Sequence, residues 1–490
     1  MKLYLKGHHD LYAVEQLQMQ LFPDEPTETV EAPFGAEDGA VSALCYGKKW
    51  LTAVTTMSWQ GKKARAVKRM DVALADDARL RRRILQQSYF LAAVQVRGIT
   101  PPWGALSGVR PTKLSTQHMQ AGGTEQTADR LLKEVYFVTP RRRKLAIDCS
   151  RHTLAAIDLL RPKDLSVYIG IPFCPTRCAY CSFVSQSIEK FGSFLEPYLE
   201  ALLKEIAYTG KLLKQSGWKI RSLYMGGGTP TTLSASQMKR LMDAINEHFD
   251  LTDCLEFTVE GGRPDTLDLE KLRVIRQGGA DRMSINPQTM SDEVLRRIGR
   301  SHDTAQIYKA YADAQTAGFE GINMDLIAGL PGDTAERFLS SVRQVIDLSP
   351  SNITIHTLAL KKAAAMYQQR PDLPSGEEVE NMLDETEKAL RQAGYEPYYL
   401  YRQKYMSGSF ENVGWCKPGY RGLYNIYMME ELHTILSLGG GGMNKINLGP
   451  NQLERFHNPK IPQDYIQRID TILQQKDEIF RILHELIIDN

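Results

Sequence analysis

Between residues 165 and 358 short apolar runs alternate with longer amphipathic stretches, and no other region of the chain is as regular. The runs lie at 165–171, 222–225, 255–260, 282–286, 322–327 and 353–358. Each is short, bounded by turn residues and rich in aliphatic side chains, as buried strands are. Between them the spacing becomes helical. Leu195, Leu199, Leu202, Leu203 and Ile206 fall on one helical face, and Phe338, Val342, Val345 and Ile346 repeat the pattern. Six strand–helix alternations predict an α/β fold with a parallel sheet and right-handed crossovers, in the form of an incomplete (β/α)6 barrel. Functional groups are then expected on the loops after the strand C-termini.

The flanking regions read differently. Residues 1–160 form a mixed α+β extension with strands near 40–46 and 49–57 and a helix near 79–96, followed by turn-rich sequence around Pro101, Pro102 and Pro111. No chemistry is legible there and its role is left open. Residues 161–370 hold the barrel. Residues 371–490 read as a mostly helical C-terminal domain covering a substrate, with helices at 377–392 and 464–487 around the unusual stretch ENVGWCKPGYRGLYNIYMMEELHTILSLGGGG.

Composition changes this picture little. The chain has 490 residues, 42% hydrophobic and 24% charged, with a net charge of +2. Nothing in that balance points to nucleic acid, and the basic runs at 81–83 and 141–144 suit solvated faces. No apolar stretch approaches the ~20 residues of a membrane span. The first residues mix charges and histidines into their apolar positions, unlike a signal peptide, so a cytoplasmic location is expected.

The seven cysteines matter more. Cys45, Cys149, Cys254 and Cys416 are scattered, whereas Cys174, Cys178 and Cys181 crowd into YIGIPFCPTRCAYCSF directly after the first strand. Soft thiolates at C-x3-C-x2-C suit three corners of an iron–sulfur cubane and leave a fourth iron open. The competing reading is structural zinc, which normally takes four ligands and often a second C-x2-C pair. Downstream, MGGGTP ends the second strand with three glycines that let backbone approach a ligand. Glu260, Gln288 and Asp325 mark the third, fourth and fifth strands.

With these motifs the chain resembles the radical S-adenosylmethionine superfamily. Its segments YMGGGTPT, FTVEGGRPDT, SINPQT, NMDLIAGLPGDT and the late ENVGWCKPG, YNIYMMEE and LGGGG look like the oxygen-independent coproporphyrinogen III oxidase-like group, in particular its HemZ-type coproporphyrinogen dehydrogenases. The resemblance runs from about 160 to 450. It implies that Cys174, Cys178 and Cys181 bind a [4Fe–4S] cluster whose fourth iron is chelated by S-adenosyl-L-methionine. It places Tyr168, Tyr180, Gly227, Gly228, Thr229, Glu260, Gln288, Arg300, Asp325 and Ala359 at that cofactor. It implies hydrogen abstraction from propionate side chains, loss of CO2 and formation of protoporphyrinogen IX in haem biosynthesis. The implied partners are a tetrapyrrole substrate and an electron donor such as a flavodoxin or ferredoxin.

Two positions depart from the well-studied form of this oxidase. Gly170 stands where that form has histidine, and Phe183 where it has a fourth, non-ligating cysteine. These departures leave two other readings beside decarboxylation: a haem-binding chaperone on the same scaffold, and a tetrapyrrole-acting radical methyltransferase. Asn412, Trp415, Tyr424, Asn425 and Glu430 are candidates to face substrate, with packing at a domain junction as the alternative for Trp415 and Tyr424. Cys416 is the candidate catalytic residue, replacing the missing cysteine if the C-terminal region folds over the barrel mouth.

Overall fold

The computed structural model describes all residues except 24, 33–36, 107, 183–184, 362–363, 370, 404–409, 450–451 and 489–490. Phe183 therefore lies outside the described residues. Two compact units are present, one built on residues 1–147 and one on residues 148–407 and 411–490.

The first unit is a five-stranded sheet in the order Glu28–Val30, Lys2–Lys6, Gly39–Tyr46, Trp50–Trp59, Lys62–Asp71. The last two strands form a hairpin that turns at Gln60 and Gly61, both at positive φ, as a two-residue hairpin turn requires. The helices Leu11–Leu21 and Ala78–Arg97 supply Val14, Leu17, Tyr89 and Phe90 to a core shared with Leu3 and Met57. Asp77 starts the second helix by accepting from the amides of Arg79 and Leu80.

The second unit holds an eleven-stranded sheet. Its parallel strands are β1 (Asp164–Ile171), β2 (Lys219–Gly227), β3 (Glu256–Gly262), β4 (Arg282–Ile285), β5 (Gly321–Ala328) and β6 (Asn352–Thr357). They are neighbours in sequence order, with helices between them, as expected of the incomplete barrel. The helices begin where their caps predict: Ser234 with Gln237 and Asp303 with Gln306 form reciprocal capping boxes. Among the described residues no helix is long and apolar enough to cross a membrane.

The C-terminal region corrects the sequence reading. No compact unit begins near residue 370, and the region is not mostly helical. It adds β7 (Glu396–Arg402), β8 (Glu411–Cys416), β9 (Thr434–Gly439), β10 (Met443–Gly449) and β11 (Gln452–His457) to the same sheet. The full order is β7-β8-β6-β5-β4-β3-β2-β1-β9-β10-β11. Strands β8 and β9 are buried along their whole length, so they lack the polar alternation that marks a half-exposed strand.

A buried polar network fastens β9 to β1. Tyr198 Oη donates to Gly170 O (2.5 Å) and accepts from Gly440 N (2.6 Å). Fully buried Glu205 accepts from Gly439 N, Asn458 Nδ2 and Tyr465 Oη, and pairs with the equally buried Lys476 at 3.2 Å. Burial pushes the Lys476 ammonium below its ordinary pKa, against the pull of Glu205.

Candidate active site

The C-terminal ends of the parallel strands open into a cavity of about 360 Å³, within the ~300–1,000 Å³ typical of small-molecule sites. Cys174, Cys178 and Cys181 line it, on the loop that leaves β1. That loop is tied down from several sides. Arg263 Nη1 donates to Thr176 Oγ1 (2.6 Å), Ala179 N donates to Ile298 O (3.1 Å), and Arg300 Nη2 donates to Tyr180 Oη (2.9 Å). Arg263 is itself oriented by Asp265, through Nε at 3.0 Å and Nη2 at 2.7 Å. Its part was not read from sequence, although GRPDT lies inside a motif already singled out.

Glycines admit the sulfur and the backbone together. A Cβ on Gly228 would meet Phe173 O at 2.5 Å and Cys174 Sγ at 2.9 Å, and Gly227 takes φ +118° against Ile171. Thr229 Oγ1 lies 3.5 Å from Cys174 Sγ. Among the described residues no three His, Cys, Asp or Glu side chains are grouped to hold a single metal ion. Mononuclear zinc needs its sulfurs within about 2.3 Å of one point, whereas a cubane takes one thiolate at each of three separate corners.

The rest of the cavity is polar and incompletely satisfied. Ser284 Oγ, Asn286 Oδ1 and Arg300 Nε are buried without a hydrogen-bond partner among the described residues, and all three residues line the space. Such groups cost about 1–3 kcal/mol each when left unpaired, so their presence here suits a polar ligand. Gln288 is held at φ +70° by two backbone bonds, from its own amide to Asp325 O and from Ile327 N to its carbonyl, both 2.9 Å. Strain of this kind persists where surroundings enforce it, often at binding sites.

Two carboxylates stand on the cavity wall with opposite tendencies. Loss of solvent raises the Glu260 pKa to about 7, with Asp325 adding repulsion, although Tyr224 Oη donates to it at 2.5 Å. Burial also raises Asp325, but His356 (3.4 Å) and Asn323 Nδ2 (2.7 Å) outweigh it and hold its pKa below the ordinary range.

Of the ten residues expected at S-adenosylmethionine, Tyr180, Gly227, Gly228, Thr229, Glu260, Gln288, Arg300, Asp325 and Ala359 line this one cavity. Tyr168 does not. It belongs to a set of near-parallel rings with Tyr224 and Tyr424, whose centroids lie 4.5–6.4 Å apart. Of the substrate candidates, Asn412 and Asn425 reach the cavity, while Trp415, Tyr424 and Glu430 are buried away from its lining. Arg391 covers the Trp415 ring at 5.4 Å. Glu256, at the start of β3, accepts from the amides of Leu423 and Tyr424 and so fixes the helix Leu423–Glu430 that carries Asn425.

Cys416 is not brought to the site. It pairs with Asn352 at the N-terminal end of β6, the end opposite the cavity, and is fully buried among Tyr398, Leu423 and Ile426. Burial pushes its thiol up to about 12.

Gly170 has a positive structural reason. A Cβ there would meet Gly440 O at 2.7 Å, and one on Gly439 would clash with Gly170 O. The backbone of the late glycine run thus occupies the space that a side chain at 170 needs.

A profile for the Radical SAM superfamily matches residues 168–345. The chain is 40% identical to the oxygen-independent coproporphyrinogen-III oxidase-like protein HemZ of Bacillus subtilis, over 77% of each chain. The chain belongs to the radical SAM superfamily, in this oxidase-like group. It is also 29% identical to the heme chaperone HemW of Haemophilus influenzae, over 62% of this chain and 76% of that one. The solved structure of the coproporphyrinogen III oxidase HemN from Escherichia coli superposes with a TM-score of 0.53 at 27% identity, covering 65% of this chain and 72% of that one. Membership of the radical SAM superfamily brings a [4Fe–4S] cluster and S-adenosylmethionine as cofactors.

Proposed function

We propose that this protein converts propionate side chains of coproporphyrinogen III to vinyl groups without oxygen, giving protoporphyrinogen IX. In this reading Cys174, Cys178 and Cys181 hold the cluster. The observation that carries it is the breadth of the likeness to the HemZ oxidase-like protein, 40% identity over 77% of both chains. The site supports it physically, because one cavity joins the cysteines to side chains of β7 and β8 that the cofactor residues do not include.

Bound there, the cluster and S-adenosylmethionine would supply a one-electron route to hydrogen abstraction from a C–H bond. Each propionate then loses one hydrogen atom, CO2 and one electron as –CH2–CH2–COO⁻ becomes –CH=CH2. The hydrogen ends on 5′-deoxyadenosine, and the electron leaves for an acceptor outside the chain. A small reduced redox protein, a flavodoxin or ferredoxin, supplies the initiating electron. The residues of the chain bind and orient. Gly227 and Gly228 admit the methionyl group to the backbone, Arg300 offers a buried guanidinium to its carboxylate, and Asp325 accepts from ribose hydroxyls.

A haem-chaperone function is the second reading, favoured by the likeness to HemW. Anaerobic incubation of reconstituted protein with coproporphyrinogen III, S-adenosylmethionine and a strong reductant separates the two. Protoporphyrinogen with CO2 release supports decarboxylation. Stable haem binding without either product supports the chaperone, and 5′-deoxyadenosine without CO2 points to other radical chemistry, such as a tetrapyrrole methyltransferase.

A further inference from the structure

One sector of the cavity holds a single expected cofactor residue, Ala359, just past the end of β6. Its wall is the end of β6 with strands β7 and β8, and it carries His356, Lys361, Tyr399, Tyr401 and Asn412. The two carboxylates lining the cavity, Glu260 and Asp325, stand on β3 and β5, so β6, β7 and β8 contribute none.

The two nitrogen-bearing groups of this sector are placed differently. His356 lines the cavity with Nε2 3.4 Å from Asp325 Oδ2, its one polar partner among the described residues. Asp325 is held in turn by Asn323 Nδ2 at 2.7 Å, so the imidazole is oriented by a fixed carboxylate. Lys361 lies exposed at the rim; its carbonyl accepts from Ala364 N (2.9 Å), while its ammonium has no ion pair or hydrogen bond among the described residues. An oriented imidazole and an ammonium can each donate to an anionic group of a ligand. Beside them the rings of Tyr399 and Tyr401 lie nearly parallel, 11° apart with centroids at 6.3 Å, and offer aromatic surface to a ring system.

We propose that this sector is the substrate subsite, taking a cyclic polycarboxylate of tetrapyrrole size with His356 and Lys361 each binding one carboxylate. The inference rests on the decarboxylase reading and deepens it, by naming which groups read the propionates.

The test is a ratio, because a merely structural defect weakens all ligands alike. Fluorescence titration of the reconstituted holoprotein compares coproporphyrin III, with four carboxylates, and protoporphyrin IX, with two. The wild-type protein should prefer coproporphyrin III by about tenfold, the worth of one good charge-assisted contact. In Lys361→Met and in His356→Gln that preference should fall to about twofold, as one such contact is lost. If both variants keep the wild-type ratio, whatever their absolute affinities, the subsite is overturned while the decarboxylase reading stands. If the wild-type protein shows no preference for coproporphyrin III, the subsite and the parent reading fall together.

Discussion

The parallel strands β1–β6 and the five strands flanking them contribute very different things to one cavity. Loops and strand ends of the parallel set carry the three clustered cysteines and all nine expected cofactor residues that reach the cavity. The flanking strands carry none of these. On one side β9 lies along β1 and fills the space beside Gly170 with backbone. On the other, β7 and β8 extend the cavity past the cofactor residues with Tyr399, Tyr401 and Asn412. The region expected to cover the barrel as a separate domain instead lengthens its sheet at both ends. In the proposed reading the chemistry common to the superfamily belongs to the parallel strands, and whatever distinguishes this chain is to be sought in the flanks.

The comparison can be broken most sharply at the cysteines. Cys174→Ser should abolish the cluster's visible absorbance and all 5′-deoxyadenosine formation, measured anaerobically after reconstitution. Retained absorbance with full iron and sulfide content would remove Cys174 from the parallel wall's assigned role.

The flank beside β1 should fail through stability instead. Lys476→Met leaves the buried Glu205 carboxylate without its cation, a loss expected to cost about 3–5 kcal/mol in chemical denaturation. Adding Glu205→Gln removes the stranded charge and should recover more than half of that. If the double variant is no better than the single, the stranded Glu205 charge is not the source of the loss.

A smaller effect is expected at the glycine contact itself. Gly170→Ala places a methyl 2.7 Å from Gly440 O, overpacking that should cost about 1–3 kcal/mol. A thermal midpoint equal to wild type would show that the late glycine run moves aside freely.

A pH-dependent test concerns Glu260. Its pKa in the folded chain is raised from about 4.5 to about 7, so between those values the native state holds a proton that the unfolded state has lost. Stability of the ligand-free protein should therefore be fully present below pH 4.5 and decline as pH rises through 7. Glu260→Gln should flatten that part of the profile, and an unchanged slope would place the titration elsewhere.

Sequence alone exposed the parallel half of this arrangement because its signals are local. Leu165, Val167, Ile169 and Ile171 form a run that ends at a cysteine motif, and MGGGTP ends the next strand. The flanks gave no such signal. TILSLG and ENVGWC are buried on both faces, so neither alternation nor helical spacing marks them. Their partners, β1 and β6, are also distant in sequence. Cys416 shows the same limit at the level of one side chain. Its residue type suggested chemistry, but the antiparallel register that sets it opposite Asn352 depends on pairings no local pattern reveals. His356 was passed over because a histidine at a strand end means little until Asp325 on the neighbouring strand is seen beside it.

The central claim is that the radical formed at this site takes hydrogen from a porphyrinogen propionate. Coproporphyrinogen III deuterated at the propionate carbon next to the ring tests it, with mass spectrometry of the 5′-deoxyadenosine produced. The account predicts one deuterium in each 5′-deoxyadenosine and one CO2 released with it. Unlabelled 5′-deoxyadenosine beside intact coproporphyrinogen would contradict it.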